Sequence, residues 1–184
     1  MKSALIIIDI QNDYFAGGKM ELEGSAEASL AAAKLLQTFR SKGLPFVHIQ
    51  HVSNRPGASF FLPDTDGVKI HVNVAPRAGE TVLQKNFPNS FRDTRLLEHL
   101  RGLGVDHLVI AGMMTHMCVD ATTRAAFDLG FSCSLAHDAC ATRALSFGEQ
   151  RVPAAQVHGA FVAALASLYA KVQSAEAIAA GIAS

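Results

Sequence analysis

Short apolar runs alternate along the chain with longer segments of helical periodicity. The apolar runs predict buried strands at Ser3–Asp9, Pro45–His51, Thr81–Lys85, Asp106–Ala111 and Phe131–His137, with a short last strand at Lys171–Gln173. The periodic segments predict helices over Ser25–Lys42, Asp93–Arg101, Thr115–Leu129 and Gly148–Ala170. Strands that are apolar on both faces and alternate with helices indicate an α/β fold. We therefore expect a single doubly wound domain over residues 1–184, with a mostly parallel sheet of about six strands flanked by helices.

One long segment, Val52–Glu80, interrupts this alternation. It carries Pro56, Pro63 and Pro76 together with several glycines, and it shows no clear period. A connection of this length in a compact domain is usually functional. We expect it to form a wall or lid over a site.

Composition and charge narrow the possible functions. Sixteen basic residues balance sixteen acidic ones without a long run of either sign, so we expect no binding to nucleic acid or to a membrane surface. The most apolar run, residues 4–8, is too short to span a bilayer and lacks the features of a signal peptide. The three cysteines form no CxxC pair. We expect a cytoplasmic protein with reduced thiols that acts on a small molecule.

Three reactive side chains follow predicted strands. Asp9 ends the first strand, Lys85 ends the third, and Cys118 follows the fourth. Because ligands bind beyond the carboxyl ends of parallel strands, we expect an acid, a base and a thiol on one rim of the sheet. Each residue alone has a structural alternative: Asp9 as a helix cap, Lys85 as a surface lysine and Cys118 as a buried structural thiol. Their shared rim favours a catalytic site.

Cys118 lies where the fourth strand meets the following helix. The free N–H groups and the dipole of a first helical turn favour a thiolate and can also hold an oxyanion. Among the histidines, His51, His71 and His116 can reach the rim and contact a substrate. No DxH or HExxH spacing occurs, so we expect no metal site.

Four phenylalanines are candidates for the wall of an apolar substrate pocket: Phe15, Phe60, Phe61 and Phe87. A phenylalanine is more often a core residue. Phe60 and Phe61 lie in the long segment, where an aromatic pair is harder to explain as core. We expect one of these two to contact substrate.

Four motifs together resemble the isochorismatase-like cysteine hydrolases. They are Ile7-Ile-Asp-Ile-Gln-Asn-Asp-Tyr-Phe15, Lys85-Asn-Phe-Pro-Asn-Ser-Phe91, Gly112-Met-Met-Thr-His-Met-Cys-Val119, and Thr123-Arg-Ala-Ala-Phe-Asp-Leu-Gly130 leading to Asp138. The resemblance implies a Rossmann-like fold, a catalytic triad of Asp9, Lys85 and Cys118, and a non-proline cis peptide at Met114–Thr115. It also implies an oxyanion hole formed by the amides of Thr115 and Cys118.

The resemblance implies hydrolysis of a C–N bond in a small amide or ureido compound through a thioester on Cys118. Nicotinamidases of this family bind a metal through an Asp-x-His motif after the second strand, and the segment from Gln50 to Gly57 lacks it. We therefore expect no metal and no cofactor. Two alternatives stay open, a vinyl-ether hydrolase of the isochorismatase type and a non-catalytic binding protein. Family members are commonly dimers or tetramers, so a homo-oligomer is expected.

Overall fold

A six-stranded parallel sheet forms the centre of the molecule. The structure, a computed structural model, describes residues 2–183. The strands are β1 (Ser3–Ile8), β2 (Phe46–His51), β3 (Val82–Lys85), β4 (His107–Met113), β5 (Ser132–Ala141) and, after a separate hairpin, β8 (Lys171–Gln173). Their order in the sheet is β3-β2-β1-β4-β5-β8, and all five neighbouring pairs are parallel.

Helices cover both faces of this sheet. The elements are α1 (Ser25–Ser41), α2 (Leu96–Gly102), α3 (Asp120–Asp128), α4 (Ala154–Ala166) and α5 (Ala175–Ala183). Because successive side chains of a strand point to opposite faces, Leu5 and Ile7 of β1 pack in the layer of α1 and α5. Ile6 and Ile8 pack in the layer of α2, α3 and α4. Burying each such side chain contributes about 1.5–3 kcal/mol.

The predicted doubly wound fold is confirmed. The strand order reverses between β1 and β4, because the chain runs outward in one direction from β1 to β3 and in the other from β4 onward. A crevice at the carboxyl ends of the strands opens at such a switch point. Asp9 follows β1 and Cys118 follows β4, so the two lie on either side of it.

The helix predicted over Gly148–Ala170 is wrong in its first part. An antiparallel hairpin of β6 (Leu145–Phe147) and β7 (Gln150–Val152) precedes α4. Gly148 lies in the hairpin turn with φ +57°, a conformation that glycine adopts without steric cost. Pro153 then stands just before α4, where its missing N–H costs nothing.

Other boundaries differ as well. The segment predicted as one helix, Thr115–Leu129, is a π-helical turn over Thr115–Val119 followed by α3. The helix predicted from Asp93 begins only at Leu96, since Asp93 has φ +55°. β5 runs four residues beyond the predicted His137, because its register against β4 shifts between Ile110 and Gly112 and pairing then resumes. The helix α5 was not predicted.

Within residues 2–183, the structure contains no helix long and apolar enough to cross a membrane. The single-domain organisation over residues 1–184, the homo-oligomeric state and the cytoplasmic location stay predictions.

An ion cluster ties α1 to the edge of the sheet. Arg40 of α1 donates two hydrogen bonds to the Glu80 carboxylate, at 2.7 and 2.6 Å. The amide of Arg77 donates to the same carboxylate at 2.7 Å, and His48 Nε2 of β2 lies 3.3 Å from it. Chiefly through the hydrogen bonds from Arg40, the pKa of Glu80 falls from its ordinary 4.5 to about 2.

We predict that Glu80→Gln lowers the free energy of unfolding at pH 7 by about 1–3 kcal/mol, because Arg40 loses its charged acceptor. A depressed carboxyl pKa stabilises the fold fully above about pH 4.5, and this contribution disappears as the pH falls toward 2. The difference between wild type and variant should therefore shrink over that range. Denaturant unfolding at a series of pH values measures it.

Glu98→Gln is the matched control, because Glu98 pairs with Arg95 on the surface with both side chains at least 70% exposed. Its removal should leave the unfolding midpoint almost unchanged. Equal effects of the two substitutions at pH 7 would contradict a structural role for Glu80.

Candidate active site

Asp9 stands at the end of β1 with its carboxylate completely buried. Its backbone has φ +50°, a left-handed conformation that aspartate tolerates better than most residues. The Asp9 amide donates to Ile49 O of β2 at 3.1 Å, which fixes the point where the chain leaves the sheet. A buried carboxylate needs a cationic or hydrogen-bonding partner. Lys85 supplies it, with Nζ at 2.7 Å from Asp9 Oδ2.

The Lys85 ammonium is also buried, and several polar groups surround it. Besides Asp9, it donates to the carbonyls of Phe87 and Pro88, each at 3.1 Å, and it lies 3.4 Å from His51 Nδ1. Burial lowers the pKa of Lys85, but the Asp9 carboxylate and Cys118 together raise it more, so the net pKa is above its ordinary value. The ammonium therefore stays charged at neutral pH.

Cys118 lies in the π-helical turn after β4 and is only 5% exposed. The approach of β4 to β1 requires glycine at position 112. Gly112 has φ +138°, and a Cβ there would collide with the Ile8 carbonyl. The non-proline cis peptide lies at Met113–Met114, one residue earlier than the expected Met114–Thr115, since β4 runs to Met113 before the chain turns. The role of the Thr115 and Cys118 amides as an oxyanion hole stays a prediction.

The three strand-end residues meet as expected from the sequence. Reactive atoms of Asp9, His51 and Cys118 all lie within 4.8 Å of one another, and the Lys85 ammonium contacts Asp9 and His51. These three donors resemble a metal-ligand set. The Lys85 ammonium already neutralises Asp9 and would repel a metal cation bound beside it. The donor set therefore fits a metal poorly.

The surroundings of Cys118 act on the pKa of its thiol in opposite directions. Burial, and then the charge of Asp9, raise this pKa well above its ordinary range, while Lys85 lowers it less. Burial therefore favours the neutral thiol, whereas Lys85 and the start of a helix favour the thiolate.

Cys118 is one of the residues that line a cavity of about 90 Å³. Its apolar and aromatic walls are formed by Tyr14, Phe60, Phe87, Pro88, Met114 and Met117. Its polar lining consists of His51, Arg55, Asn86 and Cys118. Typical ligand pockets have about 300–1,000 Å³. The enclosed space therefore fits only the reacting group of a substrate.

Three of the predicted substrate-binding residues line this cavity, namely His51, Phe60 and Phe87. Sequence reasoning missed Tyr14 and Arg55. Tyr14 belongs to the first motif, which also contains Asp9. That shared motif was the signal that could have pointed to Tyr14. No sequence signal distinguished Arg55, because a single arginine in a long polar segment is ordinarily a surface residue.

The other predicted substrate-binding residues lie outside the cavity lining. Phe15 stacks on His71 with ring centroids 3.6 Å apart, in a separate surface groove. Phe61 is 1% exposed and packs against Tyr14 as a core residue. His116 Nδ1 lies 2.6 Å from Thr142 Oγ1, so it joins the nucleophile turn to the residue after β5.

Two polar side chains hold the long segment Val52–Glu80 over the rim. Gln11 donates to His51 O at 2.9 Å and to Val68 O at 2.7 Å, and its Oε1 accepts from the His51 amide. Asp13 accepts from the amides of Phe61 and Lys19. The segment is therefore a fixed wall of the cavity.

Comparison with known proteins identifies the group to which this geometry belongs. The family model described as "Isochorismatase domain" matches residues 3–176. The chain belongs to the isochorismatase family. It is 50% identical over 177 residues to the isochorismatase family protein YddQ of Bacillus subtilis, which covers 96% of this chain and 98% of YddQ.

Solved structures agree with this assignment. A hydrolase assigned to the isochorismatase group, from Oleispira antarctica, superposes with a TM-score of 0.94 at 52% identity, covering 98% of this chain and 97% of that one. N-carbamoylsarcosine amidase from Thermoplasma acidophilum superposes with a TM-score of 0.80 at 26% identity, covering 96% and 98%. Streptothricin hydrolase of Streptomyces noursei is 36% identical over 139 residues, 76% of this chain and 49% of that protein.

We predict that Asp9→Asn lowers the pKa of the Cys118 thiol, because it removes a negative charge and leaves Lys85 free to pair with a thiolate. Lys85 keeps its carbonyl acceptors in this variant. The pH dependence of iodoacetamide alkylation, followed by mass spectrometry at Cys118, measures the change. Cys133 and Cys140 serve as internal controls, since burial raises the pKa of each to about 12. A rise in the Cys118 pKa would contradict the proposed electrostatics.

Proposed function

We propose that this isochorismatase family member hydrolyses the C–N bond of a small amide or ureido compound through a thioester on Cys118. The observation that carries the proposal is the buried contact of Asp9 with Lys85, beside the Cys118 thiol that lines a small cavity. A thiol nucleophile next to a carboxylate base is the arrangement that acyl transfer requires. The names of two relatives, N-carbamoylsarcosine amidase and streptothricin hydrolase, support hydrolysis of C–N bonds in the family.

The first step transfers the Cys118 proton to Asp9 while the sulfur attacks the substrate carbonyl carbon. One S–C bond forms, and the C=O electron pair moves to oxygen. The net charge of the buried group does not change, because Asp9 gains the proton that Cys118 loses. The negative charge that Lys85 pairs with at Asp9 passes to the substrate oxygen. This coupling explains how a thiol of raised pKa can act at neutral pH.

The intermediate then collapses. The C–N bond breaks as Asp9 returns its proton to the leaving nitrogen, which departs as an amine or ammonia. Water attacks the thioester with Asp9 again as the base, releasing the acid and restoring the thiol. His51 Nδ1 lies 3.4 Å from the Lys85 ammonium. Burial, together with the charges of Lys85 and Arg55, lowers the pKa of His51 although Asp9 raises it, and the lowered pKa favours a neutral ring at pH 7.

We predict that Cys118→Ala lowers amide turnover by about 10⁴-fold or more, as expected when the nucleophile of a catalytic unit is removed. A panel of small amides and ureido compounds, assayed for released amine or ammonia, identifies the substrate. Rapid quenching and mass spectrometry should then find the acyl group on Cys118. Cys140→Ala is the matched control and should keep wild-type turnover, because Cys140 packs in the core with its thiol directed to Ala136 O.

The panel also separates the alternatives. A vinyl-ether hydrolase would keep much of its activity in Cys118→Ala and form no acyl adduct. A non-catalytic binding protein would turn over none of the compounds and would form no acyl adduct on Cys118. Either result would contradict the proposed thioester chemistry.

A further inference from the structure

Arg55 is a positive charge in the cavity that the chemistry of the triad does not use. It comes from the segment Val52–Glu80 and lines the same cavity as Cys118. Its backbone is held in a turn, since Ala58 N donates to Arg55 O at 3.2 Å, and two residues before Arg55 the Ser53 amide donates to Phe61 O.

No carboxylate of the described residues 2–183 pairs with Arg55. Arg92, whose guanidinium lies over the Phe87 ring, is 3.8 Å from Asp93 Oδ2. Arg40, Arg95 and Arg124 also pair with carboxylates. Arg55 differs from these four arginines in lining the cavity without such a partner.

The charge of Arg55 is not balanced inside the cavity either. Asp9 and Lys85 neutralise each other, and no carboxylate is among the lining residues. Among the described residues that line the cavity, Arg55 carries the one permanent charge, and it lies on the exposed surface.

The cavity runs from a buried thiol to an exposed guanidinium. Cys118 is 5% exposed, whereas Arg55 belongs to the exposed part of the surface. The cavity of about 90 Å³ is large enough for a small reacting group at Cys118, and Arg55 lines the same small space. A guanidinium presents paired N–H donors that match the two oxygens of a carboxylate.

We infer that the substrate is an amide or ureido derivative of a small carboxylic acid, and that Arg55 binds its carboxylate while Cys118 attacks its carbonyl. This inference rests on the proposed function and names its substrate class. Arg55 acts as a specificity-determining residue, because it contacts a part of the substrate that does not react. Phe60 and Phe87 form apolar walls of the same cavity.

A pair of alkylating reagents tests the inference without knowledge of the substrate. Iodoacetate and iodoacetamide both form an S–C bond to Cys118 as iodide leaves with the C–I electron pair and the thiol loses its proton. They differ in one group, a carboxylate against a neutral amide. The ratio of their second-order rate constants at Cys118, measured by mass spectrometry in the intact protein, reports recognition of the negative charge.

We predict that Arg55→Gln lowers the ratio of iodoacetate to iodoacetamide rates by roughly tenfold or more, the loss expected for a charge-assisted hydrogen bond. Arg55→Lys should give an intermediate ratio, since it keeps the charge and loses the paired donors. The iodoacetamide rate should change little in either variant. Arg143→Gln is the matched control. Arg143 is exposed and acts on the pKa of Tyr14 through its charge, but it does not line the cavity.

The outcomes separate this inference from the proposed function. A ratio that is equal in wild type and Arg55→Gln, with Cys118 alkylated in both, overturns carboxylate recognition and leaves the thiol chemistry standing. If Arg143→Gln lowers the rate ratio as much as Arg55→Gln does, the effect comes from the overall positive charge of the surface. That result would also overturn carboxylate recognition by Arg55. If neither reagent alkylates Cys118, the nucleophile fails and the inference fails with it.

Discussion

The buried ion pair between Asp9 and Lys85 is the interaction on which the site depends. Both side chains are fully removed from solvent, which costs several kcal/mol for each ion before any contact is made. The 2.7 Å contact offsets part of this cost, and the carbonyls of Phe87 and Pro88 satisfy further ammonium protons. Among the described residues, no backbone amide donates to the Asp9 oxygens. Asp9 is therefore held by Lys85 and kept available for the Cys118 proton.

The same ion pair joins the fold to the chemistry. Asp9 follows β1 and Lys85 ends β3, with β2 between them, so their contact spans the rim of the sheet. Cys118 enters from β4 on the other side of the switch point. A proton that moves from Cys118 to Asp9 leaves the charge beside Lys85 unchanged. The raised pKa of the resting thiol is thus compatible with catalysis, because the proton transfer and the attack on the substrate occur together.

Much of this arrangement could be predicted from the sequence, for a physical reason. Parallel strands all end on one rim, so Asp9, Lys85 and Cys118 could be assigned to one site once their strands were recognised. The local sequence pattern also predicted α1, and it marked Phe60 and Phe87 as candidates for the wall of the cavity. The hairpin at Gly148 was missed because an alanine-rich segment with helical periodicity followed it, although Pro153 marked the boundary.

Features that depend on tertiary contacts could not be predicted. Arg55 becomes distinctive only when its segment folds over Cys118, and Phe15 turns away from the cavity because His71 offers a stacking partner. His116 shares the turn of the nucleophile but bonds to Thr142 on the far side. The raised pKa of the Cys118 thiol likewise follows from burial, and the position of Cys118 before a helix did not predict that burial.

A double-mutant cycle on the ion pair tests the central claim most directly. Lys85→Met should lower the free energy of unfolding by about 3–5 kcal/mol, because it leaves the Asp9 carboxylate buried without its cation. Adding Asp9→Asn should restore much of that loss, since the second substitution removes the orphaned charge, while the protein stays inactive. Denaturant unfolding of the wild type, both single variants and the double variant gives the coupling energy. A double variant whose destabilisation equals the sum of the two single losses would show that Asp9 and Lys85 do not act as one buried unit.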